Sequence, residues 1–245
     1  MPASSPLLKN ACGKSVLELP VVAIDGPAGV GKSSVSREVA AALGYRYLDT
    51  GAMYRAVAVF MRDAGIADTD SGAIAQALVN LHLALLPGEG GSARVLVNGL
   101  DVTERLRSPE ISLASSRVSA LPPVRQKLGA MQRQIGEAGR VVAEGRDMGT
   151  VVFPDAAYKF FLDAKPEIRA HRRALQLQAM GQRVNEEEIL RETIQRDRQD
   201  SEREIARLRP AATAVIIDTS DKTQAEVVRM IVNRVQTGPH ETGEK

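Results

Sequence analysis

An apolar run, Pro20-Val21-Val22-Ala23-Ile24-Asp25, passes directly into Gly26-Pro27-Ala28-Gly29-Val30-Gly31-Lys32-Ser33. A helical pattern follows through Val35, Val39 and Leu43 and stops at Gly44. This order of strand, glycine loop and helix restricts the fold more than any other feature of the 245-residue chain. The loop fits G-x-x-x-x-G-K-[ST] in full, in the structural context that the motif requires. Small residues let backbone N–H groups turn inward toward phosphate oxygens, and the helix N-terminus adds its positive end. Lys32 is placed to reach β- and γ-phosphates, Ser33 has the hydroxyl to ligate Mg²⁺, and Ser34 suits an α-phosphate contact or a helix cap. The expectation is an ATP or GTP site built from Gly26, Pro27, Ala28, Gly29, Val30, Gly31, Lys32, Ser33 and Ser34.

The rest of the chain supplies strands to match. Tyr45 to Leu48, Arg140 to Ala143, Tyr158 to Leu162 and Ala214 to Ile217 are short apolar segments, each followed by a polar or acidic residue. Met53 to Ala64 reads as a helix entered through Asp49-Thr50-Gly51, and Thr223 to Val235 as a closing amphipathic helix. Strands separated by helices imply an α/β fold with a central parallel, doubly wound sheet. Ligands bind such sheets at the carboxyl ends of the strands, where Gly26, Asp49, Glu144 to Asp147, Asp163 and Asp218 fall. Between residues 62 and 109 the pattern changes. Leu81 to Leu85, a glycine-rich loop over residues 87–92, Arg94 to Val97, Asn98-Gly99 and Leu100 to Val102 predict a small antiparallel meander, Asn-Gly being a strong hairpin signal. From Pro166 to Arg209 the chain reads as helical, with ten arginines and no lysine.

Composition narrows the function classes. A formal net charge of +2 is far from the basic balance of a chain that covers nucleic-acid backbone, so a small anionic ligand is expected and a nucleic-acid partner is not. No run of 18 apolar residues occurs, so no membrane partner is expected. The lone cysteine, Cys12, excludes an intrachain disulfide and suits a reducing, cytoplasmic compartment. The first residues lack an unbroken apolar core, so no secretory signal is expected there. His82, His171 and His240 share no ligand spacing, which argues against zinc. An Asn-Lys-x-Asp guanine reader is absent, and Phe160 to Ala164 lacks the glutamate of an ATP-driven machine.

Two further segments carry recognition chemistry. In Asp49-Thr50-Gly51-Ala52-Met53-Tyr54-Arg55 the arginine falls in the first turns of a helix, and its planar fork suits a phosphate monoester. A solvated helix arginine is the alternative. In Glu144-Gly145-Arg146-Asp147-Met148-Gly149-Thr150 a charged pair framed by glycines follows an apolar strand, and buried charges of this kind need partners or a ligand. A structural Arg146 to Asp147 salt bridge is the competing reading.

Gly26 to Ser34, Asp49 to Arg55, Gly145 to Ala156 and Arg196-Asp197 to Arg203 together resemble the bacterial cytidylate kinase family over about residues 20 to 235. The resemblance implies a P-loop NTPase fold with a core of residues 19–61, 110–165 and 204–236. It also implies a monophosphate-binding insertion of about 62–109, a helical lid of about 166–203, and tails at 1–18 and 237–245. It implies ATP and Mg²⁺, the acceptors CMP and dCMP, and a monomer. Lys32, Arg146 and Arg196 are implied as catalytic, with Arg172 and Arg173 on the ATP side and Ser33 on the metal. Thr50 and Arg55 are implied to hold the acceptor phosphate, while Ser116, Arg125 and Asp147 read cytosine with Arg203 nearby. Asp200 and Arg196 are implied beside the sugar. Thr50 stands where many relatives carry Ser, Glu144 where Asp is common, and Thr213 where Asp is common. The alternatives are another small P-loop kinase, for uridylate or shikimate, or a regulatory module that binds ATP without turnover.

Overall fold

The computed structural model describes residues 20–88, 93–203 and 205–238. The expected tail at 1–18, part of the glycine-rich loop at 87–92 and most of the tail at 237–245 lie outside the described residues. The chain divides into two compact units, one running up to Leu48 and resuming at Ile135, the other spanning Asp49–Gln134.

In the first unit, β1 (Val21–Asp25) leads into α1 (Lys32–Leu43) and β2 (Arg46–Asp49). After residue 134 come β6 (Val141–Gly145), a π-helical turn at Met148–Val152, β7 (Tyr158–Asp163), α6 (Pro166–Ala179), α7 (Glu186–Glu202), β8 (Val215–Asp218) and α8 (Gln224–Gln236). These strands form a sheet in the order β2-β6-β1-β7-β8. β1 runs parallel to both β6 and β7, and β7 runs parallel to β8. Asp25 is in register with Gly145, and Asp163 with Asp218, so the carboxyl ends of these strands share one edge. Val22, Ile24, Val142, Phe160, Leu162 and Ile217 form a core with Val35 and Val39 of α1 and Val227 and Ile231 of α8. Both faces of the central strands are covered, which is why they read as unbroken apolar runs.

Helix ends follow local chemistry. Gly44 takes a left-handed conformation and closes α1 through its N–H. Thr223 and Glu226 form a reciprocal capping box at α8. The helical segment expected over 166–209 consists of two helices, parted at Gly181 (φ 75°) and resumed at Asn185, whose side chain accepts from Glu187 and Glu188 N–H. Residues 205–209 are not helical.

In the second unit, α2 (Thr50–Asp63) starts three residues before the predicted Met53, because the Asp49 carboxylate accepts from Ala52 N–H and caps it. α3 (Ser71–Val79) follows, then an antiparallel sheet of β3 (Leu83–Pro87), β4 (Ala93–Val97) and β5 (Leu100–Asp101). Asn98 (φ 49°) and Gly99 (φ 83°) form the turn that the sequence indicates, and they pair Val97 with Leu100. A 3₁₀ turn at Glu104–Arg107 precedes α4 (Pro109–Val118), capped by Ser108, and α5 begins at Pro122 and runs to Glu137. α2 packs on α4 and on β4.

Candidate active site

The loop between β1 and α1 has its conformation set by three glycines. Gly26 (φ 151°), Gly29 (φ 80°) and Gly31 (φ 91°) adopt angles that L side chains rarely take. At Gly26 a Cβ meets the Leu162 carbonyl oxygen at 2.1 Å, so glycine is needed for fit as well as for dihedral freedom.

Three side chains from distant parts of the first unit, together with Lys32 of the loop itself, hold the loop's carbonyls. Arg146 Nη1 donates to Gly26 O at 2.7 Å, Lys32 Nζ to Pro27 O at 2.7 Å, Arg169 Nη1 to Ala28 O at 3.2 Å, and Thr219 Oγ1 to Val30 O at 3.3 Å. With those carbonyls committed outward, the loop's N–H groups are available to anions. Thr219 is itself held by Arg172, which donates to its Oγ1 at 3.2 Å and to its carbonyl at 2.7 Å. Arg169 is buried, donates from Nε to Ala164 O at 2.9 Å, and pairs through both Nη atoms with the Asp197 carboxylate. A buried arginine with its donors satisfied in this way ties the phosphate loop to α7.

Lys32 keeps part of its side chain accessible, yet enclosure by the surrounding protein lowers its pKa well below the ordinary lysine value, and the nearby Arg146 charge adds to this. Glu144 and Asp25 oppose the shift, while Arg196 reinforces it. A cation crowded by cations is suited to an anionic ligand, which restores charge balance.

Ser33, at the start of α1, donates its hydroxyl to Glu144 Oε2 at 3.1 Å, and Tyr47 of β2 donates to Oε1 of the same buried carboxylate. The Ser33 proton is thus committed and its oxygen lone pairs remain for a ligand. Hydroxyl and carboxylate oxygens fit a hard divalent cation such as Mg²⁺. Among the described residues no group of three His, Cys, Asp or Glu side chains forms a metal cage. Mg²⁺ is usually held by few protein oxygens together with substrate phosphates and water, so a full protein cage is not required.

At the end of β6, Arg146 Nε donates to Asp200 Oδ2 at 2.9 Å, and Arg203 Nη2 meets Asp200 Oδ1 at 2.7 Å. Arg146 thus has Asp200 as an ion-pair partner. Asp147, the next residue, is buried, and Arg196 is half-buried on α7. Arg172 and Arg173 are half-buried on α6.

The second unit carries the remaining predicted residues. Thr50 is buried in the first turn of α2, and Arg55, one turn on, reaches Asp49 Oδ2 at 3.2 Å. Ser116 is half-buried on α4. Arg125 donates to Ser119 O at 3.0 Å and lies over the Tyr54 ring at 5.7 Å from its centroid, which fixes its guanidinium plane.

Sequence reasoning passed over Asp25, Tyr47, Arg169, Asp197 and Thr219 as functional residues. Only Asp25 carries a local signal, a carboxylate closing an apolar strand directly before the phosphate loop.

A parallel sheet whose first strand runs through this loop into a helix, with a lysine and a hydroxyl at the helix start, defines a P-loop NTPase fold. The cytidylate kinase family model matches residues 22–237, and the chain belongs to that family. It is 48% identical to the cytidylate kinase of Geobacter sp. (strain M21) over 216 residues, 88% of this chain and 92% of that protein. It is 46% identical to the cytidylate kinase of Carboxydothermus hydrogenoformans over 86% of this chain and 95% of that one. With the cytidylate kinase of Nitratidesulfovibrio vulgaris it shares 47% identity over 94% and 98% of the respective chains.

Proposed function

We propose that this protein transfers the γ-phosphoryl of ATP to CMP or dCMP, giving ADP and CDP or dCDP by direct in-line displacement. Family membership supports the reaction, and the observation that carries it is the tethered phosphate loop with Lys32 crowded by Arg146 and Arg196. Phosphoryl transfer needs little covalent assistance, and positioning with charge neutralisation supplies most of the acceleration.

In this reading the loop amides of residues 26–34 and Lys32 bind the ATP phosphates, while Arg172 and Arg173 serve the ATP side. Ser33 holds Mg²⁺, which when bound neutralises charge on the phosphate oxygens. Arg146 and Arg196 stabilise the moving phosphoryl. Thr50 and Arg55 take the acceptor phosphate. Asp147, Ser116 and Arg125 read cytosine with Arg203 nearby, and Asp200 and Arg196 serve the sugar. A carboxylate at 147 suits the C4 amino donor of cytosine, whereas uracil presents an acceptor at that position. Leaving a buried polar group unpaired costs about 1–3 kcal/mol, roughly tenfold to a hundredfold in preference. Residues of about 62–109 would form the acceptor-binding insertion and those of about 166–203 a lid that excludes water. We take the protein to act as a cytoplasmic monomer on small nucleotides, without a nucleic-acid partner. The single cysteine supports the compartment, and the near-neutral charge supports a small-nucleotide ligand over nucleic acid.

The test is ADP formation with ATP, Mg²⁺ and each of CMP, dCMP, UMP, AMP and shikimate. Turnover concentrated on CMP and dCMP supports the reading. ADP formation indifferent to the acceptor, or none at all, overturns it.

A further inference from the structure

Asp25 has no role in the scheme above, and its surroundings give it one. It is the last residue of β1, is 3% exposed, and has a side chain that reaches across the sheet edge. Oδ1 accepts from Met148 N–H at 2.8 Å and Oδ2 from Gly149 N–H at 2.7 Å. One residue on, Gly26 O accepts from Arg146 Nη1 at 2.7 Å. The dipeptide Asp25-Gly26 therefore grips residues 146, 148 and 149, with Asp147 between them. On its far side the Asp147 carbonyl accepts from Val151 and Val152 N–H at 2.9 and 3.2 Å and closes the π-helical turn. The position of Asp147 is thus set from β1.

A buried carboxylate is costly, and two backbone amides offset part of that cost only when both oxygens accept. Burial pushes the Asp25 carboxyl up to about 6, and Asp147 pushes it the same way, while the two amides and Lys32 favour the charged form. An apolar residue closing β1 avoids this cost but leaves the buried Met148 and Gly149 N–H groups without these acceptors, so the carboxylate serves the turn and not the strand. The gain lies in the turn. Amides of consecutive residues point at two oxygens of one group, so a single side chain fixes both the height and the rotation of the segment. Gly149 packs against this group, since a Cβ there would lie 3.4 Å from Asp25 Oδ2 and 3.3 Å from Lys159 Cγ and Cδ.

We propose that Asp25 is a positioning residue for acceptor specificity: by clamping the amides of Met148 and Gly149 it aims Asp147 at the acceptor base, and it thereby controls the preference for cytosine over uracil. This rests on the reading of Asp147 given under Proposed function. Asp25→Asn is the direct probe, because an amide oxygen accepts one N–H while its NH₂ faces the other donor. Gly149→Ala sets a methyl group beside Asp25 Oδ2 and the Lys159 stem, crowds the same contact more mildly, and serves if Asp25→Asn does not fold.

The experiment compares kcat and KM for CMP and for UMP in the wild type and both variants, with ATP affinity measured by calorimetry and folding by circular dichroism. The expected result is a KM for CMP raised about tenfold or more and a ratio of kcat/KM for CMP over UMP lowered about tenfold, with ATP affinity changed less than threefold. A folded variant whose CMP to UMP ratio matches the wild type overturns the proposal, even if its overall activity falls, because a merely structural role lowers both acceptors alike. A wild-type protein that does not use CMP overturns the underlying reading and this proposal with it. The wild-type and variant arms therefore separate the two failures.

Discussion

Ser33 of α1 and Glu144 of β6 are joined by a hydrogen bond of 3.1 Å between residues 111 positions apart. The carboxylate holds the hydroxyl proton, and Tyr47 holds the carboxylate from the other side. The Glu144 side chain thus ties the end of β6 to the first turn of α1.

Glu144→Gln and Tyr47→Phe are expected to act on metal use through Ser33, since groups that orient a ligand typically affect metal affinity or activity 10- to 100-fold. The Mg²⁺ concentration for half-maximal activity is predicted to rise about tenfold in Glu144→Gln and less in Tyr47→Phe. Mg²⁺ titrations at saturating ATP check this, and an unchanged Mg²⁺ requirement contradicts it.

Removing one member of a buried ion pair leaves the other unpaired, at a cost of about 3–5 kcal/mol, and Asp197 keeps some exposure that moderates the loss. Arg169→Ala is therefore expected to lower unfolding stability by about 3 kcal/mol. It is also expected to raise the KM for ATP, because Ala28 O loses its tether. Urea denaturation combined with ATP binding separates this from a purely global effect, for which ATP affinity in the folded variant is unaltered.

In the proposed reaction, Lys32→Met removes the cation that would meet the ATP phosphates. Loss of one such preorganised donor typically costs about 10²–10³ in kcat. Stability is expected to change little, because the side chain is half-buried and makes one hydrogen bond to Pro27 O among the described residues. Steady-state kinetics and thermal melting together give the answer.

Folding raises the Asp25 pKa from 3.8 to about 6, so the folded state holds that proton more tightly than the unfolded chain. Its contribution to stability is complete below about pH 3.8 and is lost as the pH rises through 6, a change of about 3 kcal/mol. Asp25→Asn lacks this titration. The stability of the wild type relative to the variant is predicted to fall between pH 4 and pH 7.5, measured by chemical denaturation at each pH. A pH-independent difference contradicts the prediction.

The legible parts of the molecule are those whose physics is local. The loop from Gly26 to Ser33 declares itself through its glycines and its flanking strand and helix, and Asn98-Gly99 declares its turn through two positive φ angles. The helices Pro109–Val118 and Pro122–Glu137 are not legible in the same way. Serines, Pro122-Pro123, Gly129 and Gly136 interrupt the helical pattern there. Gly136 is instead a packing requirement, because a Cβ comes within 2.3 Å of the Phe153 ring. Arg169 is hidden for a different reason. It is one of ten arginines in a charged segment, and its partner Ala28 O lies 141 positions away. No pattern in the chain distinguishes a buried arginine from its solvated neighbours until the loop and the helix are in place. Asp147 is recognisable beside Arg146, but Asp25, which accepts from the amides of the two residues that follow Asp147, lies on another strand.

The central claim is tested most directly by following the label from ATP carrying a radioactive γ-phosphate in the presence of Mg²⁺ and CMP. The account predicts that the label appears in the β-phosphate of CDP, with none on the protein, and that dCMP behaves alike. Label released as inorganic phosphate, or retained on the protein, with no labelled CDP would contradict it.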